Sequence, residues 1–539
     1  MSKLQRLVNP LIKLAEKNNP DKFTHGDLID GSLFSEAGMA EYVAQGLAGR
    51  LLWCEPLGGW LVFDEQTGIF IVKHAESVIH ELLKFYRDKI LSMIGQTDPQ
   101  NQNTAFSFYK SLLSASTVRA VKALLKHEPE VAALPEDFNQ SENVVNCSGI
   151  VISIDGTLKP AAPEDRFTLS AECKPEQGTP ENFMQFINWS SSGDKELVDW
   201  KLTAYGISLF GHPTDRIINL YGTGRNGKGT ELRTIFKIMG RYATVLPRAL
   251  AIKEPYSSSR FDRETLVGKR MASLFDLKVE KGKLNLDDMK TLCGNGDPQS
   301  VEPKGKSRYD TVICCKVFLT SNDKIPIDSF GASEKERFYL VPFNNHIEHK
   351  DETLEERFKP EYGKILNLLI EYAVKYFQNA RKMPSCAAID RATADYFNSF
   401  DLIGQFIGDN CELGETYRIG KSELFDNFVA WCESEQGIKR PMKSKTFTLE
   451  LEKRNIYELA TTISGTRKRA FKGITTKLHR NQEFDLSSHE LENFHTNTKT
   501  ENSCSFVVEE QKTTSEPPPE AYRSIEQKQL WENQEVAMY

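Results

Sequence analysis

The sequence predicts an α/β fold in which a parallel sheet carries a glycine-rich loop. Three observations lead there. Apolar strand-like runs alternate with helical stretches from about Arg216 to Phe343, the pattern of parallel strands joined by helical crossovers. The run "IINLYG" ends at Gly222 and passes straight into "TGRNGKG", with the helical stretch "TELRTIFKIMG" behind it. The charge of the chain, −7 overall, is divided very unevenly near its C-terminal end.

With 539 residues, the chain is long enough for about three or four domains. The expected divisions are an α/β N-terminal domain at 1–185, the sheet domain at 186–382, a helical linker with a small basic domain at 383–480, and an acidic tail at 481–539. "MSKLQRLVNPLIKLAEKNNP" reads as a short amphipathic helix and is too charged for a secretion signal. "LLWCEPLGGWLVFDEQTGIFIV" reads as β-hairpins that turn on Gly-Gly and Gln-Thr-Gly. "ESVIHELLKFYRDKILSMI" has helical apolar spacing. "NVVNCSGIVISIDGTLKP" is strand, turn, strand, with Asp155-Gly156 as the turn. Pro180 to Gly211 is helical, and so is "ETLEERFKPEYGKILNLLIEYAVKYFQNA", with a bend at Pro360. The segment from Met383 to Leu413 is helical and linker-like. The tail is rich in Ser, Thr and Glu, contains "EPPPE", and is expected to be disordered.

Composition narrows the function classes. No apolar run approaches the ~20 residues of a membrane span. Ten cysteines are scattered without a CxxC pair, and Cys314 and Cys315 are adjacent in an apolar run. That usage implies reduced thiols in a cytoplasmic protein, without a zinc or iron–sulfur site. His346 and His349 form an HxxH without an evident third ligand and read as surface histidines. From Gln436 to Arg480 there are 12 Lys/Arg against 3 Asp/Glu, and from Asn481 to Tyr539 there are 4 against 12. A basic block of that density suits an anionic polymer. The acidic tail is either a competitor for that surface or a plain solvated end.

The loop Gly222-Thr223-Gly224-Arg225-Asn226-Gly227-Lys228-Gly229-Thr230 has the chemistry of a phosphate cradle. Its glycines let backbone N–H groups turn inward, the following helix start adds partial positive charge, and Lys228 reaches the β- and γ-phosphates. The usual pattern ends Gly-Lys-Ser/Thr, whereas here Gly229 takes the hydroxyl position and Thr230 follows. A magnesium ion would then have Thr230 and an acid as ligands. "KRMASLFDLKVE" supplies Asp276 at a strand end and Glu280 four residues on, and the choice between them stays open. "CCKVFLTSND" ends a second strand at Asn322, and "SEKERFYLVPF" opens a third at Arg337. Sheets of this kind gather their sites at strand carboxyl ends, and a nucleotide hydrolase needs an acid, a polar sensor and often an arginine from a neighbour.

These motifs resemble the superfamily 3 helicases of the phage/plasmid and poxvirus primase–helicase group. "GTGRNGKGT", "GKRMASLFDLKVEKGKLNLDDMKTLCGNGD", "KVFLTSNDKIP" and "RFYLVPF" carry the likeness, and flanking segments extend it over residues 40–478. Family members often show two arginines before the last strand, where this chain has Glu336 and Arg337. The resemblance implies an AAA+-like P-loop ATPase core using ATP and Mg²⁺, assembled as a ring, most simply a hexamer. It implies 3′→5′ movement on single-stranded and forked DNA, and a separate primase as partner. Lys228 and Thr230 would hold ATP·Mg²⁺, Asp276 or Glu280 would orient metal and water, Asn322 would sense the γ-phosphate, and Arg337 would act on the neighbouring subunit's site.

Two surfaces are candidates for nucleic acid. "VEPKGKSRYDT" places Lys304, Lys306 and Arg308 about Gly305, either a strand-gripping hairpin tip or a solvated loop. "GKSELFDNFVAWCESEQG", "SKTFTLELEKRN" and "IYELATTISGTRKRAFKGITTKL" read as helix, helix and two strands, the order of a winged helix-turn-helix. Lys443 and Lys445 open its second helix, Arg467, Lys468 and Arg469 flank the turn at Gly465, and Lys472 lies on the return strand. A protein-binding winged helix is the alternative there. For the whole chain, two other readings stay open: an ATP-switched replication initiator that does not unwind, and a small-molecule phosphotransferase.

Overall fold

A computed structural model describes residues 2–18, 33–47, 49–214, 216–253, 262–278, 282–293, 296–302, 304, 308–327, 336–349, 351–439, 441–463 and 466–477. The chain divides into two compact units, one within Met1–Asp409 and Phe425–Arg454, the other within Asn410–Leu424 and Asn455–Tyr539.

The first unit begins with α1 (Lys3–Asn18) and α2 (Glu36–Leu47), followed by the antiparallel strands β1 (Leu51–Cys54), β2 (Gly59–Asp64) and β3 (Ile69–Ile71). The expected Gly-Gly and Gln-Thr-Gly turns join them, with Gly58, Gly59 and Gly68 at positive φ. Helices α3 (Ala75–Met93), α4 (Gln102–Ser111) and α5 (Ala115–Leu125) complete one apolar core with α1 and α2. Strands β4 (Val144–Cys147), β5 (Ile150–Ser153) and β6 (Leu158–Pro160) form a second antiparallel sheet. Asp155-Gly156 makes its second turn as the sequence suggests, and Ser148-Gly149, both at positive φ, makes the first.

Helix α6 (Glu181–Ser190) follows Pro180, which has no side-chain group able to cap it. A distant carboxylate takes that part: Glu361 accepts from Asn182 N (3.0 Å), Asn182 Nδ2 (2.8 Å) and Phe183 N (3.0 Å). Glu361→Ala is therefore expected to lower stability by roughly 2–3 kcal/mol, since two main-chain donors lose a charged acceptor; a chemical-denaturation midpoint checks it. Helix α7 (Lys195–Ile207) is capped locally by Asp194, whose Oδ1 accepts from Glu196 N and Leu197 N.

The main sheet runs through β7 (Ile217–Tyr221), β8 (Ala243–Val245), β10 (Met271–Leu277), β14 (Lys316–Ser321) and β15 (Phe338–Pro342). All its pairings are parallel, in the order β15-β7-β14-β10-β8. Helix α8 (Lys228–Met239) follows β7 and buries Leu232, Ile235, Ile238 and Met239, spaced for one helix face. Both faces of the central strands are covered, so β14 reads "KVFLTS" and is buried throughout. Two small pairs lie beside the sheet. Strand β9 (Ile252–Lys253) pairs antiparallel with β11 (Lys283–Leu284) ahead of helix α9 (Leu286–Cys293). Strand β12 (Pro298–Val301) pairs antiparallel with β13 (Tyr309–Val312), flanking the basic segment read as either a hairpin tip or a solvated loop.

At the amino edge of the sheet two buried cations precede or begin strands. Arg270 Nη1 donates to Leu209 O, and Lys316 Nζ donates to Phe210 O (2.5 Å). Both carbonyls follow the end of α7, where cations satisfy unpaired acceptors and the helix dipole. Burial pulls the Lys316 ammonium down to about 8, with Arg270 adding to the shift.

Beyond the sheet, helix α10 (Tyr362–Gln378) follows a bend containing Pro360 as the sequence predicts. The segment expected to be linker-like is instead packed. Helix α11 (Ala387–Phe400) buries Ile389, Tyr396 and Phe397, Thr393 Oγ1 accepts from Leu340 N (3.0 Å), and Tyr396 OH donates to Ile325 O. Polar residues between those three anchors hid the buried stripe. Helix α12 (Leu402–Asn410) leads to β16 (Cys411–Gly420), a strand the sequence reading did not single out. Helices α13 (Lys421–Gln436) and α14 (Ser444–Glu452) and strands β17 (Glu458–Ile463) and β18 (Thr466–Thr476) follow in the expected order. The second unit holds the antiparallel sheet β16-β18-β17. In it Glu458 accepts from Lys421 Nζ (2.5 Å) and Arg469 Nη1 (3.0 Å).

Candidate functional site

The carboxyl end of β7 is enclosed by the ends of β14 and β15. Gly222 N donates to Ser321 O (3.3 Å), and Phe343 N donates to Tyr221 O (2.8 Å). At Gly222 a Cβ would stand 1.9 Å from Asn226 Nδ2 and 2.4 Å from Phe343 O, so only glycine fits. Gly224, Arg225 and Gly227 have φ of 100°, 48° and 83°. Left-handed residues set among ordinary ones give the concave backbone that binds anions. Gly227 caps α8, and a Cβ there would press the Phe186 ring at 2.8 Å.

Lys228 opens α8, two residues earlier than the helical pattern suggested, and its side chain is buried. Its ammonium donates to Gly222 O (3.0 Å), Asn226 Oδ1 (3.3 Å) and Asn322 Oδ1. All three acceptors are neutral. Burial lowers the Lys228 pKa, and the nearby Asp276 charge opposes that shift. Asn226 in turn donates through Nδ2 to Phe343 O (3.0 Å).

Asp276 does not end its strand. It sits in a register break of β10 between Leu274 and Leu277, with φ 50°. Aspartate tolerates that left-handed conformation better than most residues, and such irregularities re-aim a side chain. Its N–H donates to Thr320 Oγ1 (2.7 Å) and its side chain is exposed. Glu280 lies outside the described residues. Thr223 and Arg225 are exposed. Thr230, half-buried, accepts weakly from Arg233 Nη2 (3.5 Å), and Gly229 lies against the same guanidinium.

The structure thus brings Gly222, Asn226, Lys228 and Asn322 into contact and places the Asp276 charge within their electrostatic reach. It does not bring Arg337 to them. Arg337 precedes β15 at the amino edge, where Phe338 pairs with Ile217, while Pro342 pairs with Tyr221 beside the loop. Five residues of strand span roughly 16 Å. The same amino edge has an open cleft lined by Trp200, Arg216, Tyr339, Arg381 and Lys382, in which the Arg216 guanidinium stacks over the Tyr339 ring at 5.2 Å. Sequence reasoning missed Arg216 and Arg381.

It also missed a buried polar network behind the loop. Glu231, in the first turn of α8, accepts from Ser190 Oγ (2.7 Å), Lys201 Nζ (3.1 Å) and Tyr205 OH (2.8 Å). Desolvation pulls the Lys201 ammonium down against the holding charge of Glu231, and it pushes the Tyr205 hydroxyl up. The signal was present: in "WKLTAYGISLF" a lysine and a tyrosine four apart interrupt an apolar helix, and a buried lysine needs a paired partner.

The nucleic-acid candidates fall on separate elements. Lys304 and Arg308 are exposed at the β12–β13 hairpin, where Arg308 also contacts Ser300 Oγ. Lys306 lies outside the described residues. Lys443 immediately precedes α14 and Lys445 is in its first turn, both exposed. Arg467, Lys468 and Arg469 open β18, opposite Thr462, Thr461 and Ala460. The side chains of Arg467 and Lys468 lie outside the described residues, whereas Arg469 and Lys472 are exposed. His346 and His349 are exposed too. Among the described residues, no helix is long and apolar enough to cross a membrane.

Comparison with known proteins gives two family matches. Residues 39–191 match a model described as D5 N terminal like. Residues 220–337 match one described as a family of unknown function, DUF5906. No curated protein matches. Among solved structures, the A form apo structure of the NrS-1 C-terminal region is 14% identical, with 57% of this chain and 80% of that chain covered and a TM-score of 0.37. A JCV helicase bound to a thiazolopyridine-phenoxyphenyl acetamide is 15% identical over 42% of this chain and 62% of that one, with a TM-score of 0.25. Scores this low leave the fold to be argued from this chain itself.

Proposed function

We propose that this chain is an ATP-driven DNA helicase of the primase–helicase type, which acts as a ring in the replication of a phage, plasmid or other mobile element. The observation that carries the reading is the meeting of Lys228 and Asn322 at the carboxyl edge of a parallel sheet. That edge is where such sheets take their ligands. Counted in chain order, the main strands lie 5-1-4-3-2. The order reverses beside the loop-bearing strand, in support of an AAA+-like core.

The cradle fits a polyphosphate: left-handed backbone positions, a helix start and a buried ammonium converge on one turn. In this reading Lys228 holds the terminal phosphates, and Asn322 polarises the attacking water or senses the γ-phosphate. Asp276, with Thr230, would hold a magnesium ion, which supplies charge neutralisation when bound. Arg337 faces a neighbour's site, because its own lies at the other edge of the sheet. The D5 N terminal like match supports placement among replication proteins.

Hairpin cations Lys304 and Arg308 would grip a strand through phosphate contacts. At α14 two lysines occupy a helix start, where the dipole disfavours cations. A phosphate lying between the lysines and the main chain would reverse that penalty. This suits α14 to duplex contact and supports a winged-helix role.

The test is ATP turnover with and without single-stranded DNA across a salt series, followed by strand displacement on a forked duplex. Turnover is expected to rise with DNA, and the rise to fade steeply with salt. Lys304→Ala with Arg308→Ala is expected to remove most of the DNA stimulation and flatten the salt slope by about 2. Stimulated turnover without displacement would identify an ATP-switched initiator, and phosphate transfer to a nucleotide would identify a phosphotransferase. Turnover indifferent to DNA overturns the proposal.

A further inference from the structure

Resting on the nucleotide reading above, the geometry points to Lys201 as a positioning residue that sets the shape of the glycine loop through the ring of Phe343. Lys201 is buried in α7 and touches no loop residue by hydrogen bond; its donors go to Ser190 Oγ and Glu231 Oε2, both at 3.1 Å. The same ammonium stands 3.9 Å from the centroid of the Phe343 ring. A desolvated cation on an aromatic face is a directional attraction, so Glu231 fixes the cation and the cation fixes the ring.

Phe343 is the residue through which that order reaches the loop. It follows the last residue of β15, and its N–H still donates to Tyr221 O (2.8 Å). Its carbonyl accepts Asn226 Nδ2 (3.0 Å). Asn226 Oδ1 accepts Lys228 Nζ (3.3 Å). The strap beyond Phe343 continues along the loop. Ile347 N donates to Arg225 O (2.6 Å), and Asn345 Oδ1 accepts Ser192 Oγ (2.9 Å). The loop therefore has one wall made of strap, and the ring of Phe343 anchors the near end of that wall.

Stability alone does not require an ion pair here. Well-packed apolar residues of similar volume often serve as well or better than a buried pair. What an apolar pair cannot do is hold a positive charge on the Phe343 face. Lys201 is thus expected to matter for nucleotide affinity separately from its share in the core.

The experiment compares full-length wild type with Lys201→Met, Lys201→Met/Glu231→Gln, Lys201→Arg and Phe343→Leu. Three readouts are taken: the melting temperature, the Kd for the fluorescent nucleotide mant-ADP with magnesium, and KM against kcat for ATP. Lys201→Met alone is expected to melt early, because Glu231 loses its counter-charge. The double variant removes both charges and is expected to melt near wild type. Its Kd and KM are expected to rise roughly 3- to 30-fold, with kcat little changed. Phe343→Leu, which leaves the ion pair intact, should show the same split, and Lys201→Arg should restore affinity. Wild-type affinity in a stably folded double variant overturns the inference. If the double variant does not fold, wild-type affinity in Phe343→Leu overturns it equally. Should wild type bind mant-ADP no better than Lys228→Ala, the nucleotide reading itself fails, and this inference with it.

Discussion

Lys228→Ala is expected to cut ATP turnover by at least ~100-fold, the scale of losing one preorganised charge donor, while the protein stays folded. The two halves of that expectation come from the same geometry. The ammonium is buried among three neutral oxygens, Gly222 O, Asn226 Oδ1 and Asn322 Oδ1. Its hydrogen bonds are offset by a desolvation penalty, which its lowered pKa reflects. Removing it should therefore change the melting temperature only modestly. The active form is the charged one. Because the folded pKa lies below the ordinary lysine value of 10.5, kcat/KM should fall on the alkaline side earlier than a free lysine would dictate. Turnover retained in Lys228→Ala, or lost only with the fold, would remove the catalytic reading of this loop.

Arg337→Ala should lose turnover by roughly 1,000-fold, the scale of an arginine supplied in trans. The more telling result is complementation. Arg337 lies at the amino edge of β15 and Lys228 at the carboxyl edge of the neighbouring strand, so no single subunit brings them together. Mixing Arg337→Ala with Lys228→Ala protein should therefore rebuild working interfaces, each with a lysine from one variant and an arginine from the other. Random mixing gives about a quarter of interfaces of that kind in a head-to-tail assembly. Two inactive proteins that regain about that fraction of wild-type turnover would establish trans action. A mixture as inactive as its parts would place Arg337 outside the chemistry.

Much of the sheet was legible because parallel strands buried on both faces are continuous apolar runs. "IINLY", "KVFLTS" and "FYLVP" stand out for that reason, and all three are strands of the main sheet. The glycine loop was legible because its glycines answer to sterics: at Gly222 a Cβ would stand only 1.9 Å from Asn226 Nδ2. What stayed hidden depended on residues distant in sequence. Glu361 caps a helix some 180 positions earlier, with separations of 179 and 178 for Asn182 and Phe183. That Glu231 is the partner of Lys201 and Tyr205 emerges only when α7 and α8 are laid together. The bulge at Asp276 was invisible because it arises from pairing with β14, through Thr320 Oγ1, and not from local preference. Helix α11 was mistaken for a connector because Ile389, Tyr396 and Phe397 are its only fully buried positions among polar neighbours.

Opposite placement of Lys228 and Arg337 also bears on how the protein responds to dilution. If catalysis needs one edge from each of two molecules, specific activity becomes a function of total protein. It should fall off below the subunit dissociation constant even when substrate is saturating. A lone subunit would then be a protein able to hold nucleotide yet nearly unable to spend it, so stray monomers would idle and hydrolysis would be confined to assembled machinery.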